Sequence, residues 1–138
     1  VAPGPRTASS GPRADPKDKM AEFRAYEDAQ VLLYERRTTE AIAVLRKIAA
    51  GDDGNILARR DLGGAYLELK QYARAREVLA QVLLAAPDDY VTQYQLGLAC
   101  EHLGQLRQAI EHLEAACKIA PDSVPCQSEL ESVRKRVK

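Results

Sequence analysis

The sequence predicts an all-α fold, a stack of antiparallel helix pairs with about seven helices in all. Three observations predict it. The stretch from Ile56 to Pro121 reads as two copies of one unit: Arg59, Leu62, Gly63, Tyr66, Ala75, Leu79 and Pro87 are answered by Gln93, Leu96, Gly97, Cys100, Ala109, Leu113 and Pro121, each 34 positions later. Ala, Leu, Glu, Arg and Gln dominate the chain, and these residues favour helix. Within a unit, Leu62, Tyr66 and Leu69 recur at i, i+4 and i+7, which places them on one helical face.

A unit of 34 residues holds two helices of about 14 residues joined by short turns. The spacing predicts helices over 56–69 and 72–86, then over 90–103 and 106–120. Gly63 with Ala75, and Gly97 with Ala109, mark the closest approach of each pair. Such a pair cannot bury its apolar face alone, so neighbours must stack into one continuous core.

The period, with Leu-Gly, then Ala, a large apolar residue and Pro, resembles the tetratricopeptide repeat. The departures are Arg59 and Gln93 where that family favours Trp, Cys100 where it favours Tyr, and Leu79 and Leu113 where it favours Phe. The resemblance implies a right-handed superhelical solenoid of three repeats, 22–55, 56–89 and 90–123, closed by a capping helix over 124–138. It also implies a domain spanning 21–138.

Counting back one period gives a degenerate first repeat. Ala29 and Ala41 fill its small positions, while Asp28 stands where Leu is favoured and Asp53 where Pro is. Its helices are expected over 21–36 and 39–50, with Gly51 ending the second. A terminal repeat faces solvent on one side, which accounts for Asp28. At the other end, Asp122 or Ser123 can cap a last helix over 124–137, with Pro125 in its first turn. Leu130 and Val133 would face the core. Arg134, Lys135, Arg136 and Lys138 make a basic end that suits a helix C-terminus.

Residues 1–20 read as a flexible tether rich in Pro, Gly and Ser. The phrase Asp15-Pro16-Lys17-Asp18-Lys19 is similar to the junction before the repeat tail of secreted sulfatase-type hydrolases. That resemblance implies a C-terminal accessory domain of a larger enzyme, periplasmic or secreted, with an oligomerising or positioning role. Without it, a cytoplasmic setting is expected. The sulfatase nucleophile pattern is not in the chain: in Ser10-Gly11-Pro12-Arg13-Ala14 the Arg falls one position early. The first residue is Val, and the chain is expected to be a piece of a longer protein.

Charge balances at 20 basic and 20 acidic residues, and Trp is absent, so neither nucleic acid nor base stacking is expected. Apolar runs such as Val82–Ala86 are too short for a transmembrane segment. Cys100, Cys117 and Cys126 lack the spacing of a zinc site. Cys100 reads as a small core residue. Cys117 and Cys126 fall on neighbouring helices, where a disulfide is geometrically conceivable. His102 and His112 form no ligand set with them, and His102 is expected to face solvent or the groove. Asp52-Asp53 and Asp88-Asp89 precede helices, where Asp caps backbone N–H groups. No phosphate loop or nucleophile elbow is present. The chain is therefore expected to catalyse nothing and to need no metal or cofactor.

The tetratricopeptide resemblance implies a concave groove lined by the first helix of each pair, which holds a peptide or protein segment. Its contact positions, carried over, are Phe23, Tyr26, Gln30, Leu33 and Tyr34 in the first repeat. The second supplies Leu57, Arg60, Gly64, Leu67 and Glu68, and the third Val91, Tyr94, Leu98, Glu101 and His102. Aromatic residues and Arg commonly anchor interfaces, while Phe23, Leu33 and Leu67 can instead serve the core. One subclass of the family clamps chaperone C-termini with Lys, Asn and Arg. Here those positions hold Tyr26, Gln30, Asp61, Val91 and Gln95, so chaperone tails are not expected as ligands. A second copy of the chain is the other candidate occupant, since exposed apolar groove residues can pair.

Overall fold

The structure is a computed structural model and describes residues 16–51 and 55–137. Among these residues it contains seven helices and no strand: α1 (Pro16–Tyr34), α2 (Thr38–Gly51), α3 (Ile56–Glu68), α4 (Tyr72–Ala85), α5 (Tyr90–His102), α6 (Leu106–Ile119) and α7 (Val124–Val137). Each helix packs on the next along the chain, and α3 also meets α5.

From α2 onward the helices begin and end within about one residue of the limits that the period predicts. The first does not. α1 begins at Pro16, inside the expected tether, because Pro suits the first helical position and Lys17–Ala21 continue as tolerated helix residues. It also stops at Tyr34 rather than 36. Arg36 takes a left-handed φ of 66°, and the backbone N–H groups of Arg36 and Arg37 bond back to the carbonyls of Leu33 and Leu32. Lys70 (φ 64°) and Gly104 (φ 80°) end α3 and α5 in the same way, one period apart. This paired return of N–H groups closes the last carbonyls of each helix, and it favours Gly, which only the third copy has. The remainder of the expected tether, residues 1–15, lies outside the described residues. So do Asp52 and Asp53.

Caps set the other boundaries. Asn55 Oδ1 accepts from Ala58 N at 2.9 Å ahead of α3, and Asp89 Oδ1 from Val91 N at 3.3 Å ahead of α5. Ser123 rather than Asp122 caps α7, its Oγ accepting from Cys126 N at 3.3 Å.

The core forms two clusters that adjoin along α5. Ala29, Leu45, Leu62, Leu79 and Leu96 run from the first pair to the third in one, and Cys100, Leu113, Leu130 and Val133 form the other beneath α7. The close approaches differ from expectation in one respect. A Cβ on Gly63 would lie 2.4 Å from Leu79 Cδ2, and one on Gly97 2.7 Å from Leu113 Cγ. The glycines thus make room for leucines one turn beyond Ala75 and Ala109, since side chains of antiparallel helices interdigitate rather than meet head to head. Where Trp is favoured, polar reach does the joining: Arg59 Nη2 donates to Ala49 O at 3.3 Å, and Gln93 Nε2 to Pro87 O at 3.2 Å.

Candidate functional site

The first helices of the pairs, α1, α3 and α5, lie side by side and continue into α7, and side chains bridge them. Tyr26 and Gln30 are one turn apart on α1. Both point to α3, where Tyr26 Oη and Gln30 Nε2 each donate to Asp61 Oδ2 at 2.7 Å. Burial, and then the bond to Asp61, push the Tyr26 phenol up to about 12, so it stays a donor at any ordinary pH.

The next bridge joins α3 to the start of α5. Arg60 Nη1 lies 2.9 Å from Asp89 Oδ2, which also accepts from Thr92 Oγ1 at 2.7 Å. Burial opposes ionisation of Asp89, but the bonds from Thr92 and Arg60 outweigh it and hold the carboxyl below its ordinary range. Beside it Tyr94 stacks on Tyr90 with ring centroids 5.9 Å apart. The Tyr90 hydroxyl lies 2.7 Å from Ser123 Oγ, the cap of α7.

The last bridge joins α5 to α7. Arg136 Nη1 donates to Glu101 Oε2 at 2.6 Å. Glu101 Oε1 is buried and takes no N–H or hydroxyl among the described residues, and the Glu129 carboxyl hydrogen-bonds to the Glu101 side chain when it carries its proton. That hydrogen bond, and then burial, push Glu129 up to about 7, because two carboxylates in contact cannot both ionise freely. Gln95 Oε1 is likewise buried, with no hydrogen-bond partner among the described residues.

The structure therefore brings Tyr26, Gln30, Arg60 and Glu101 into cross-helix contacts on one face, with Tyr94 stacked beside them on Tyr90 of its own helix. Leu57 and Val91 stand out from it, 52% and 41% exposed, as does Phe23 at 58%. Leu33 and Leu67 are partly buried against the core instead, and Leu98 is half-buried. Gly64 faces Gln95, whose Nε2 would lie 3.2 Å from an added Cβ. Glu68 pairs only loosely with Arg36, at 3.5 Å, and Tyr34 is almost wholly in solvent. His102 turns away from these helices. Its ring stacks on Tyr72, the first residue of α4, with centroids 4.3 Å apart, while its Nδ1 lies 2.9 Å from Leu98 O.

Glu129 was not among the expected contact residues, and Asp61 and Gln95 were reached only as positions of the chaperone clamp; each is central to a bridge or beside one. A signal for them existed. They are spaced by one period, so the register that aligns the second and third repeats also places Glu129 of the capping helix on this face.

Elsewhere, a cleft of about 550 Å³ lies between α4 and α6, floored by Leu96 and Cys100. Arg76 and His112 line it, but Arg76 Nη1 donates to Gln105 Oε1 at 2.6 Å and His112 Nδ1 lies 2.9 Å from Gln93 Oε1. All three cysteines are free thiols. Cys126 is buried and bonds Leu113 O at 3.4 Å; burial, then its contact with the Cys117 thiol, push it up to about 12. Among the described residues no group of His, Cys, Asp or Glu is placed to hold a metal ion, and no helix is long and apolar enough to cross a membrane.

Two family models described as tetratricopeptide repeat match the sequence, over residues 32–99 and 91–123. No curated protein matches it. Among solved structures, MamA of strain RS-1, a double mutant, superposes with a TM-score of 0.84 at 27% identity, over 88% of this chain and 68% of that one. MamA from Desulfovibrio magneticus RS-1 gives 0.81 at 28% identity, over 83% and 65%. The chain thus spans about two thirds of the MamA chains it matches. The first repeat domain of Spaghetti (RPAP3), solved with the HSP90 peptide SRMEEVD, shares the fold with a TM-score of 0.80 at 19% identity, over 84% and 92%.

Proposed function

From the premise that this chain belongs to the tetratricopeptide-repeat proteins, we propose that it is a non-catalytic interaction module. It binds a peptide or protein segment along the face built by α1, α3, α5 and α7. The observation that carries this reading is the column of exposed apolar side chains Phe23, Leu57 and Val91, one per repeat, on a face already ordered by three cross-helix bridges. Rigid elements presenting unburied apolar side chains beside satisfied polar ones suit the docking of a segment. The Spaghetti (RPAP3) domain binds a peptide with the same fold. Its acidic ligand, SRMEEVD, would not suit this face, where Asp61, Glu101 and Glu129 stand in place of cations.

The test is a selection of random dodecapeptides displayed on phage against the full chain. The best synthetic peptide is then titrated into wild type and into the Leu57→Ser/Val91→Ser variant, followed by fluorescence anisotropy. At least a tenfold loss in the variant supports the reading, and equal binding contradicts it. A second copy of the chain as the occupant would show as a concentration-dependent mass in light scattering, reduced in Tyr26→Ala/Tyr94→Ala. The reading as an accessory domain of a sulfatase-type hydrolase draws on Asp15–Lys19 alone, and the comparisons give it no support.

A further inference from the structure

Resting on that reading, we infer that the segment bound on the α1–α3–α5–α7 face is basic, carrying Arg or Lys next to an apolar side chain. The argument is one of charge complementarity. Two arginines here are paired within the fold, Arg60 with Asp89 and Arg136 with Glu101, and Arg36 pairs loosely with Glu68 at 3.5 Å. The anions are not all matched. Asp61 accepts from a phenol and an amide, both neutral donors, so its charge is hydrogen-bonded but not neutralised. Glu101 is matched by Arg136, and Glu129, raised to about 7 by its bond to Glu101, is largely protonated, so Asp61 is the full charge left unmatched. Gln95, set between Asp61 and Glu129 in the repeat register, adds a buried acceptor without a donor.

What the face lacks is therefore positive charge and N–H donors, which Arg and Lys side chains supply together. The aromatic rings point the same way. Tyr26 lies against Asp61, and Tyr90 and Tyr94 stack near the acidic pair, so a cation entering there meets both carboxylates and ring faces. The apolar side chains lie one helical turn from the acceptors: Leu57 precedes Asp61, and Val91 precedes Gln95, by four residues, on the same helical face. A basic residue next to an apolar one in the ligand matches that pairing.

The same displayed dodecapeptide selection tests this on the full chain. The expected result is enrichment of Arg or Lys beside Leu, Ile, Val or an aromatic residue. A synthetic peptide from the leading clone should bind wild type at least tenfold more tightly than its twin in which every Arg and Lys is replaced by Glu. Its affinity should fall about tenfold in Asp61→Asn, which keeps an acceptor for Tyr26 and Gln30, and fall again between 50 and 300 mM salt on the order expected for screened charges. Enrichment of acidic or uncharged peptides that Leu57→Ser/Val91→Ser still disrupts would overturn the charge inference and leave the docking face standing. Peptides indifferent to Leu57→Ser/Val91→Ser, or no enrichment at all, would overturn both. Equal binding of the peptide and its charge-reversed twin to wild type overturns the inference without recourse to any variant.

Discussion

Residues 56–89 and 90–123 match at their closest helix contacts and differ where they face the bridge-bearing surface. Inside, Gly63 and Gly97 lie under Leu79 and Leu113, and Ala75 and Ala109 are fully buried. On the surface, Arg60 is answered by Tyr94, Asp61 by Gln95 and Glu68 by His102. The difference teaches which positions the fold dictates. A helix pair at fixed separation accepts one combination of small and large residues, whereas an exposed face is free to take whatever its partner requires.

That contrast can be broken most forcefully from inside. Leu79→Ala and Leu113→Ala each remove a fully buried side chain seated on a glycine, and each should cost about 2–5 kcal/mol in urea denaturation. If the two pairs are equivalent, the two losses agree within about 1 kcal/mol; a much smaller loss in one would break the equivalence. Ala109→Leu probes the same interior by overpacking. It should cost about 1–3 kcal/mol, and an unchanged denaturation midpoint would contradict the contact.

Adjacent glycines sharpen the comparison further. Gly63→Ala would set a methyl group 2.5 Å from Leu79 Cγ, so the repacking cost should exceed the helix-propensity gain and lower stability. Gly64→Ala meets only the mobile end of Gln95, at 3.2 Å, and should raise stability by up to about 1 kcal/mol. Thermal melts of the two variants should shift in opposite directions. A common sign would mean that packing and surface are not divided as the repeat register says.

The smallest effect is expected from pH. Glu129 is raised from its ordinary 4.5 to about 7 by its bond to Glu101 and by burial, so the folded chain holds a proton that the unfolded chain has released. Its stabilising contribution is fully present below pH about 4.5 and is lost as pH rises through about 7. Wild type should therefore lose stability between pH 5.5 and pH 8, on the order of the window set by that shift. Glu129→Gln keeps a donor for Glu101 and should flatten the loss. An equally steep decline in the variant would assign the titration to another group.

The sequence made the interior legible because packing is periodic. Gly63, Gly97, Ala75 and Ala109 announce helix pairs by spacing alone, and the boundaries of α2 to α7 follow. α1 was less legible, since Pro16 reads equally as the end of a Pro-rich tether or as the first residue of a helix. The face was legible only in part. Positions 26, 30, 60, 94 and 101 were placed on it by register, but their pairings were not, because register puts residues on a face without saying which meet across helices 35 residues apart, as Tyr26–Asp61 and Glu101–Arg136 do. His102 shows the limit from the other side: register put it in the groove, and the ring of Tyr72 draws it to α4.

The measurement that tests the central claim most directly is an amide chemical-shift map of the full chain, with the selected peptide added to saturation. The account predicts shifts concentrated at residues 23–34, 57–68 and 91–102 and around Glu129, with α2, α4 and α6 quiet on their outer surfaces. Shifts centred instead on the cleft between α4 and α6, at Arg76 and His112, would contradict it.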